Sequence, residues 1–144
     1  MTADIRASDG HPSPHRDRVG LFNQLYGLVA APAAWLASQI ANSVLGQEAC
    51  FPGTEPLAAP AFGGVHAIQA AILVGALLIS ASGAAVALRT WRSTRGEQAG
   101  DQHVLLAIGE GRSRFMAFAG VLTSLGFLLA SLFSAPAVIL VGTC

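Results

Sequence analysis

Charged residues divide the chain into three long apolar segments. The charges lie in an N-terminal tail and in two connections, 48–55 and 89–114, and they leave three uncharged segments, 19–47, 56–88 and 115–144. Each segment exceeds the ~20 residues that an α-helix needs to cross the hydrocarbon core of a bilayer. Lipid also requires every backbone amide to be hydrogen-bonded within its own segment, which a helix achieves. The pattern predicts an all-α membrane protein with three transmembrane helices.

The same pattern predicts where the parts begin and end. We expect a disordered cytoplasmic tail over 1–18 and a transmembrane domain over 19–144, with helices near 21–46, 63–91 and 115–141. Proline removes a backbone donor, so Pro32 is expected to kink the first helix and Pro136 to break or bend the third. In the 89–114 connection, we expect Asp101 to cap a short amphipathic segment, Gln102–Ile108, on the membrane surface.

The arginines predict the orientation of the chain. All eight basic residues are arginines, three in the tail and five in the 89–114 connection, whereas the 48–55 connection and the C-terminal region have none. The positive-inside rule places the arginine-rich segments in the cytoplasm. We therefore expect an N-in, C-out protein of the bacterial inner membrane, with the 48–62 loop and Cys144 on the outer side.

The composition agrees with a membrane location and excludes several classes of function. Hydrophobic residues make up 53% of the chain and charged residues 11%, against about 25% charged residues in soluble domains. Eight acidic residues balance the eight arginines, so no positive surplus exists to bind nucleic acid. A soluble helical bundle needs a polar outer stripe, and the segment Ile72–Leu88 offers nothing more polar than serine.

The two cysteines are predicted to meet. Cys50 follows the first apolar segment and Cys144 follows the third, so the predicted topology puts both on the outer side at similar depth. In a bacterial cell that compartment is oxidising, and we expect a disulfide. Two free thiols are one alternative interpretation. A copper or zinc site that also uses His66 is another, although soft-metal sites usually offer more ligands than this chain has.

Five polar residues are predicted to lie within the bilayer near its outer side. Gln39, Asn42 and Ser43 share one face of the first helix by their i, i+3, i+4 spacing. His66 and Gln69 share a face of the second helix, and antiparallel neighbours would bring both groups to the same depth. The cluster is interpreted either as hydrogen bonds that hold the helices together or as a functional site.

Small residues recur at four-residue spacing on two of the predicted helices. They are Ala76, Ser80 and Ala84 on the second helix, and Gly120 and Ser124 on the third. Helices in lipid associate by close packing at such faces. Two interpretations are open: these faces pack the three helices against each other, or one of them docks a partner subunit.

Part of the sequence resembles a known family. One end of the resemblance is Ala31-Pro32-Ala33-Ala34-Trp35, followed by Gln39 and Ala49-Cys50-Phe51-Pro52; the other is Arg112-Ser113-Arg114-Phe115 with Gly120, Ser124, Phe127, Ala130, Phe133, Pro136 and Cys144. These stretches are similar to small, largely uncharacterised three-helix proteobacterial inner-membrane proteins that are encoded near cytochrome c oxidase genes. The resemblance implies an accessory subunit or assembly helper of a haem-copper oxidase, and it implies no catalytic residues.

The sequence as a whole predicts a non-catalytic protein without a cofactor. Its expected partners are the lipid bilayer and a larger membrane complex, such as cytochrome c oxidase subunits, and not nucleic acid. A redox protein that binds haem, quinone or copper near Cys50, His66 and Cys144 is one alternative, with His66 the weak candidate ligand. An oligomeric pore or small transporter lined by Gln39 and Asn42 is another. Acidic residues are missing from all three apolar segments, which argues against proton-coupled transport.

Overall fold

All regular secondary structure in the described part of the protein is α-helical. The computed structural model describes residues 20–94, 112–140 and 144. Its helices are α1 (Leu21–Cys50), α2 (Val65–Ser93) and α3 (Arg112–Leu140). All three are long and apolar enough to cross a membrane, which confirms the predicted set of three spanning helices. The predicted tail over 1–18 and the predicted amphipathic segment Gln102–Ile108 lie outside the described residues.

Helix α1 is one turn longer than the apolar pattern predicted. It continues through Gln47 and ends at Cys50, because polar residues such as Gln and Glu are good helix formers even where they are too polar for the bilayer core. Phe51 precedes a proline, which disfavours helical backbone at that position. The N–H of Phe51 donates a hydrogen bond to the Gln47 carbonyl at 2.7 Å and closes the helix.

Helices α2 and α3 also differ slightly from their predicted starts. Helix α2 begins at Val65, after Gly64, whose φ of 82° lies in the left-handed region that glycine enters without steric cost. Helix α3 begins at Arg112, within the charged connection, and continues through Pro136 to Leu140. The break expected at Pro136 is therefore not found, because a transmembrane helix tolerates a proline whose freed carbonyl is satisfied by its surroundings.

The loop between α1 and α2 folds back over the end of α1. The N–H groups of Leu57 and Ala61 donate hydrogen bonds of 2.8 Å to the carbonyls of Cys50 and Ala49. These carbonyls belong to the last turn of α1, where no helical partner is available. Ala49, Cys50 and Val65 are buried together beneath the loop, so this end of the bundle is closed by its own backbone.

The interior of the bundle is built mainly from small residues, with Leu73 and Val121 among the few larger ones, and most large side chains face outwards. The largest fully buried side chains in the described ranges are those of Thr94, Ser80, Ser124 and Ser131. By contrast Phe133 is 81% exposed and Phe22 is 76% exposed. Each helix contacts both of the others. This arrangement fits a membrane protein, since lipid removes the hydrophobic driving force and leaves close packing of small residues to hold helices together.

Candidate functional site

The three helices come closest at a contact between two glycines and an alanine. A Cβ placed on Gly27 of α1 would lie 3.1 Å from the Ala87 Cβ of α2, and one on Gly120 of α3 would lie 3.1 Å from the Gly27 carbonyl oxygen. Contacts this short leave no room for a side chain, so the backbones themselves touch here. We call this layer, together with the small residues next to it on the side of the disulfide, the small-residue seam. It consists of Gly27, Ala31, Gly83, Ala87, Gly120 and Ser124.

The seam is joined by a hydrogen bond between α1 and α3. Ser124 Oγ donates to the carbonyl oxygen of Gly27 at 2.9 Å, and the Ser124 side chain is completely buried. A Cβ on Gly83 of α2 would lie 3.4 Å from the same Ser124 oxygen. One hydroxyl therefore contacts both neighbouring helices and is bonded to one of them.

The structure places all five predicted packing residues inside the bundle. They are Ala76, Ser80, Ala84, Gly120 and Ser124, and each is buried. This is the location that packing among the three helices requires, and none of these residues can reach a partner subunit while the bundle is intact. Gly27, Gly83 and Ala87 were not among the predicted packing residues. Gly27 lies four residues before Ala31, and Gly83 lies four residues before Ala87. This spacing is visible in the sequence, but many alanines that are exposed in the structure share it.

The polar group at Gln39 is bonded to α3. Its Nε2 donates to Ser134 Oγ at 3.1 Å, and Ser134 Oγ in turn donates to the Ala130 carbonyl at 3.0 Å. One turn away, the rings of Trp35 and Phe127 pack with centroids 5.4 Å apart. Gln39 therefore makes a hydrogen bond between helices, as one of the two interpretations of the polar cluster expects, and it makes this bond to α3.

The other members of the predicted polar cluster do not gather around Gln39. Ser43 and His66 are exposed, whereas Asn42 and Gln69 are half-buried. The Asn42 Oδ1 atom is buried and has no hydrogen-bond partner among the described residues. The Gln69 Nε2 atom lies 3.9 Å from where a Cβ on Gly46 would be, which places Gln69 beside α1 about one turn beyond Asn42.

Two further buried polar atoms lack a partner within the described ranges. They are Trp35 Nε1 and Ser80 Oγ, and Ser80 is 0% exposed. Leaving a buried donor or acceptor without a hydrogen bond costs about 1–3 kcal/mol of stability. Ser80 and Ser124 are thus chemically identical and equally buried, yet only Ser124 bonds another helix.

Cys50 and Cys144 form the predicted disulfide. Their Cα atoms are 5.4 Å apart and their separation in sequence is 94 residues. Cys50 is 3% exposed and lies beneath the folded-back loop, whereas Cys144 is exposed. The bond joins the C-terminal ends of α1 and α3, which shows that these two helices run in the same direction.

His66 is exposed and lines an open cavity. The cavity has a volume of about 310 Å³ and is formed by the backbone and side chains of residues 60–66. Within the part of the chain that the structure describes, no group of three or more His, Cys, Asp and Glu side chains is placed to hold a metal ion. Both sulfurs bond each other, so they are not metal ligands in this state.

The two ends of the bundle differ in charge. The C-terminal end of α2 carries Arg89 and Arg92, and the start of α3 carries Arg114; we call this the arginine end. The opposite end carries Glu48 and Glu55 beside the disulfide, and these are the only acidic side chains of residues 20–94, 112–140 and 144. We call it the glutamate end. The described residues are therefore electrically asymmetric along the helices.

Comparisons with protein families, with curated proteins and with solved structures found no match to this chain. The family resemblance of the two sequence stretches therefore stays a prediction.

Proposed function

We propose that this is a non-catalytic integral membrane protein that packs against, or helps to assemble, a larger respiratory membrane complex of the haem-copper oxidase type. The observation that carries the proposal is the inverted packing of the bundle. Small side chains fill the seam, while large ones such as Phe133, Phe22 and Leu78 point away from it. In a bilayer, such an outer surface contacts either lipid or the transmembrane helices of another protein.

The rigidity of the bundle supports a docking role. The disulfide holds one end, and hydrogen bonds from Ser124 to Gly27 and from Gln39 to Ser134 tie α3 to α1 along its length. A surface that is already fixed loses less conformational entropy when it binds a partner. The bundle is thus suited to present a constant shape to a neighbouring subunit.

Two independent features support an N-in, C-out orientation in a bacterial inner membrane. The positive-inside rule assigns the arginine end to the cytoplasm. The disulfide requires an oxidising compartment, and the bacterial periplasm is one. The disulfide lies at the glutamate end, opposite the arginines, so both features favour the same orientation.

The respiratory partner is supported by the family resemblance and by where its residues lie. Trp35 packs on Phe127 and Cys50 bonds Cys144, and all four residues carry the resemblance. The Trp35–Phe127 pair connects α1 with α3, and the disulfide connects α1 with Cys144, which follows α3. The resembling residues thus form a framework that holds the bundle in shape, which is what an accessory or assembly protein needs.

Site-specific crosslinking in native membranes tests the proposal. A photoreactive amino acid is placed singly at Ile40, Leu78 and Phe133, three exposed positions on the three helices. We expect one of these faces to crosslink to an oxidase subunit and the others to give lipid adducts, which serve as internal controls. Lipid adducts from all three positions, together with purification of the protein alone in mild detergent, would refute the proposal.

A further inference from the structure

The arginine end combines exposed guanidinium groups with exposed aromatic surface. Arg89 and Arg92 are spaced i, i+3 and are both exposed. The residues around them on α2 that face the bundle are Ala87, Thr90 and Thr94, which are 2%, 7% and 0% exposed. The two arginines therefore share the outward face of the last turns of α2.

The arginines are not needed to cap α2. Ser93 Oγ donates to the Thr90 carbonyl at 2.8 Å, and Thr94 Oγ1 donates to the Thr90 and Trp91 carbonyls at 3.1 Å each. These hydroxyls satisfy carbonyls at the C-terminus of the helix, where basic side chains often bind. The partial negative charge of the helix end is thus already compensated by neutral donors.

The start of α3 packs against the last turns of α2 through Trp91 and carries exposed aromatic surface at this end. The rings of Trp91 and Phe118 are in contact with centroids 6.4 Å apart. Phe118 is 45% exposed and Phe115 is 69% exposed. Arg114 lies one turn before Phe118 on the same face of α3, so a third basic residue belongs to this end.

We propose that the arginine end binds the headgroup of an anionic phospholipid. The guanidinium groups of Arg89 and Arg92 donate to the phosphodiester oxygens, a geometry that arginine matches in a bidentate manner. The acyl chains lie along Phe115 and Phe118. Both glutamates of the described residues are at the opposite end, about the length of a helix away.

The choice of lipid over a free phosphate ion follows from the aromatic surface. A free anion would use the guanidinium groups alone, whereas a phospholipid also covers the exposed rings one turn further along α3. Basic residues next to the membrane surface attract anionic headgroups. The proposal does not depend on which complex the protein joins.

Lipid retention by the intact, oxidised protein tests the proposal. The protein is reconstituted in nanodiscs of equimolar phosphatidylglycerol and phosphatidylcholine, released in mild detergent, and its bound lipids are counted by native mass spectrometry. We expect phosphatidylglycerol to be enriched. The R89Q/R92Q variant should lose about 25-fold in preference, since each arginine near an anionic headgroup contributes about fivefold.

Two matched variants separate site binding from net charge. R89K/R92K retains the charge but loses the bidentate guanidinium geometry, so it should keep only part of the preference. E48Q/E55Q changes the charge at the other end and should leave the preference unchanged. Equal retention by wild type and R89Q/R92Q overturns the proposal. Displacement of the phosphatidylglycerol by millimolar inorganic phosphate would also overturn it, in favour of a free-anion site.

A salt titration keeps the proposal testable if R89Q/R92Q does not fold, as judged by helicity and disulfide formation. Raising the ionic strength screens the attraction between exposed charges. The phosphatidylglycerol preference of the wild-type protein should therefore fall steeply between low and high salt. A preference that is insensitive to salt contradicts the proposed role of the guanidinium groups.

Discussion

Ser124 of α3 donates a hydrogen bond from its hydroxyl to the backbone carbonyl of Gly27 on α1, 97 residues away in sequence. The contact is possible because both Gly27 and Gly120 lack side chains, so the two backbones approach closely enough for a short hydroxyl to bridge them. This one relationship combines the two forces that hold helices together in lipid, close packing and interhelical hydrogen bonding. It also gives the first of four predictions.

Replacing Ser124 with alanine should destabilise the bundle, whereas the same change at Ser80 should not. Ser124→Ala removes an interhelical hydrogen bond, which averages about 0.6 kcal/mol in a membrane protein. Ser80→Ala removes a buried hydroxyl that has no partner among the described residues, and its desolvation cost disappears with it. Unfolding in mixed micelles, followed by circular dichroism, measures both variants. A larger loss for Ser80→Ala than for Ser124→Ala would contradict the assignment.

Replacing two glycines of α3 with alanine should have different effects on the unfolding free energy. A Cβ on Gly120 would lie 3.1 Å from the Gly27 carbonyl oxygen, while a Cβ on Gly126 would meet no atom of the described residues within 4 Å. Gly120→Ala should therefore cost about 1–3 kcal/mol of unfolding free energy through overpacking. Gly126→Ala should be neutral or stabilising by up to about 1 kcal/mol, since alanine is the better helix former. The same unfolding assay compares them, and equal effects would exclude a tight seam at Gly120.

A double-mutant cycle distinguishes the two possible partners of Gln39. Gln39→Leu and Ser134→Ala should show a coupling energy of about 0.6 kcal/mol, and no more than about 1.7 kcal/mol. The matched cycle of Gln39→Leu with Gln69→Leu should show coupling near zero, because Gln39 bonds α3. The cycles are measured as differences in unfolding free energy. Coupling to Gln69 but not to Ser134 would contradict the bond between Gln39 and α3.

Removal of the disulfide should loosen the glutamate end of the bundle. The C50A/C144A variant should lose about 2–5 kcal/mol of unfolding free energy, and the reduced wild-type protein should behave like it. Mass spectrometry after alkylation without reductant provides the control for the bond itself. Two alkylated cysteines in the untreated wild-type protein would show that the bond does not form.

The three spanning helices could be predicted because the bilayer imposes one strong condition on the sequence. An uncharged segment as long as 56–88 is stable in few environments other than lipid. The exact end of α1 could not be predicted in the same way. Hydropathy falls at Gln47, where the chain leaves the apolar core, but the backbone stays helical to Cys50 because nothing in Gln47-Glu48-Ala49 breaks a helix.

The neighbours of each side chain were harder to predict than the helices. Spacing in a sequence identifies which residues share a face, as for Gln39 and Asn42, but in a three-helix bundle every helix has two neighbours. The choice between α2 and α3 for Gln39 depends on where Ser134 lies in space, and hydropathy does not contain that information. The cysteine pair was predictable since the topology leaves the two sulfurs in one compartment at one depth.

The disulfide also changes how the protein transmits mechanical force. Because Cys50 is covalently joined to Cys144, tension applied between residue 1 and residue 144 passes from Cys50 directly to Cys144. Residues 51–143, including α2 and α3, then form a loop that bears no load. The oxidised chain can therefore extend by only its first 50 residues, about 170 Å of contour length, while the closed loop that contains α2 and α3 carries no tension.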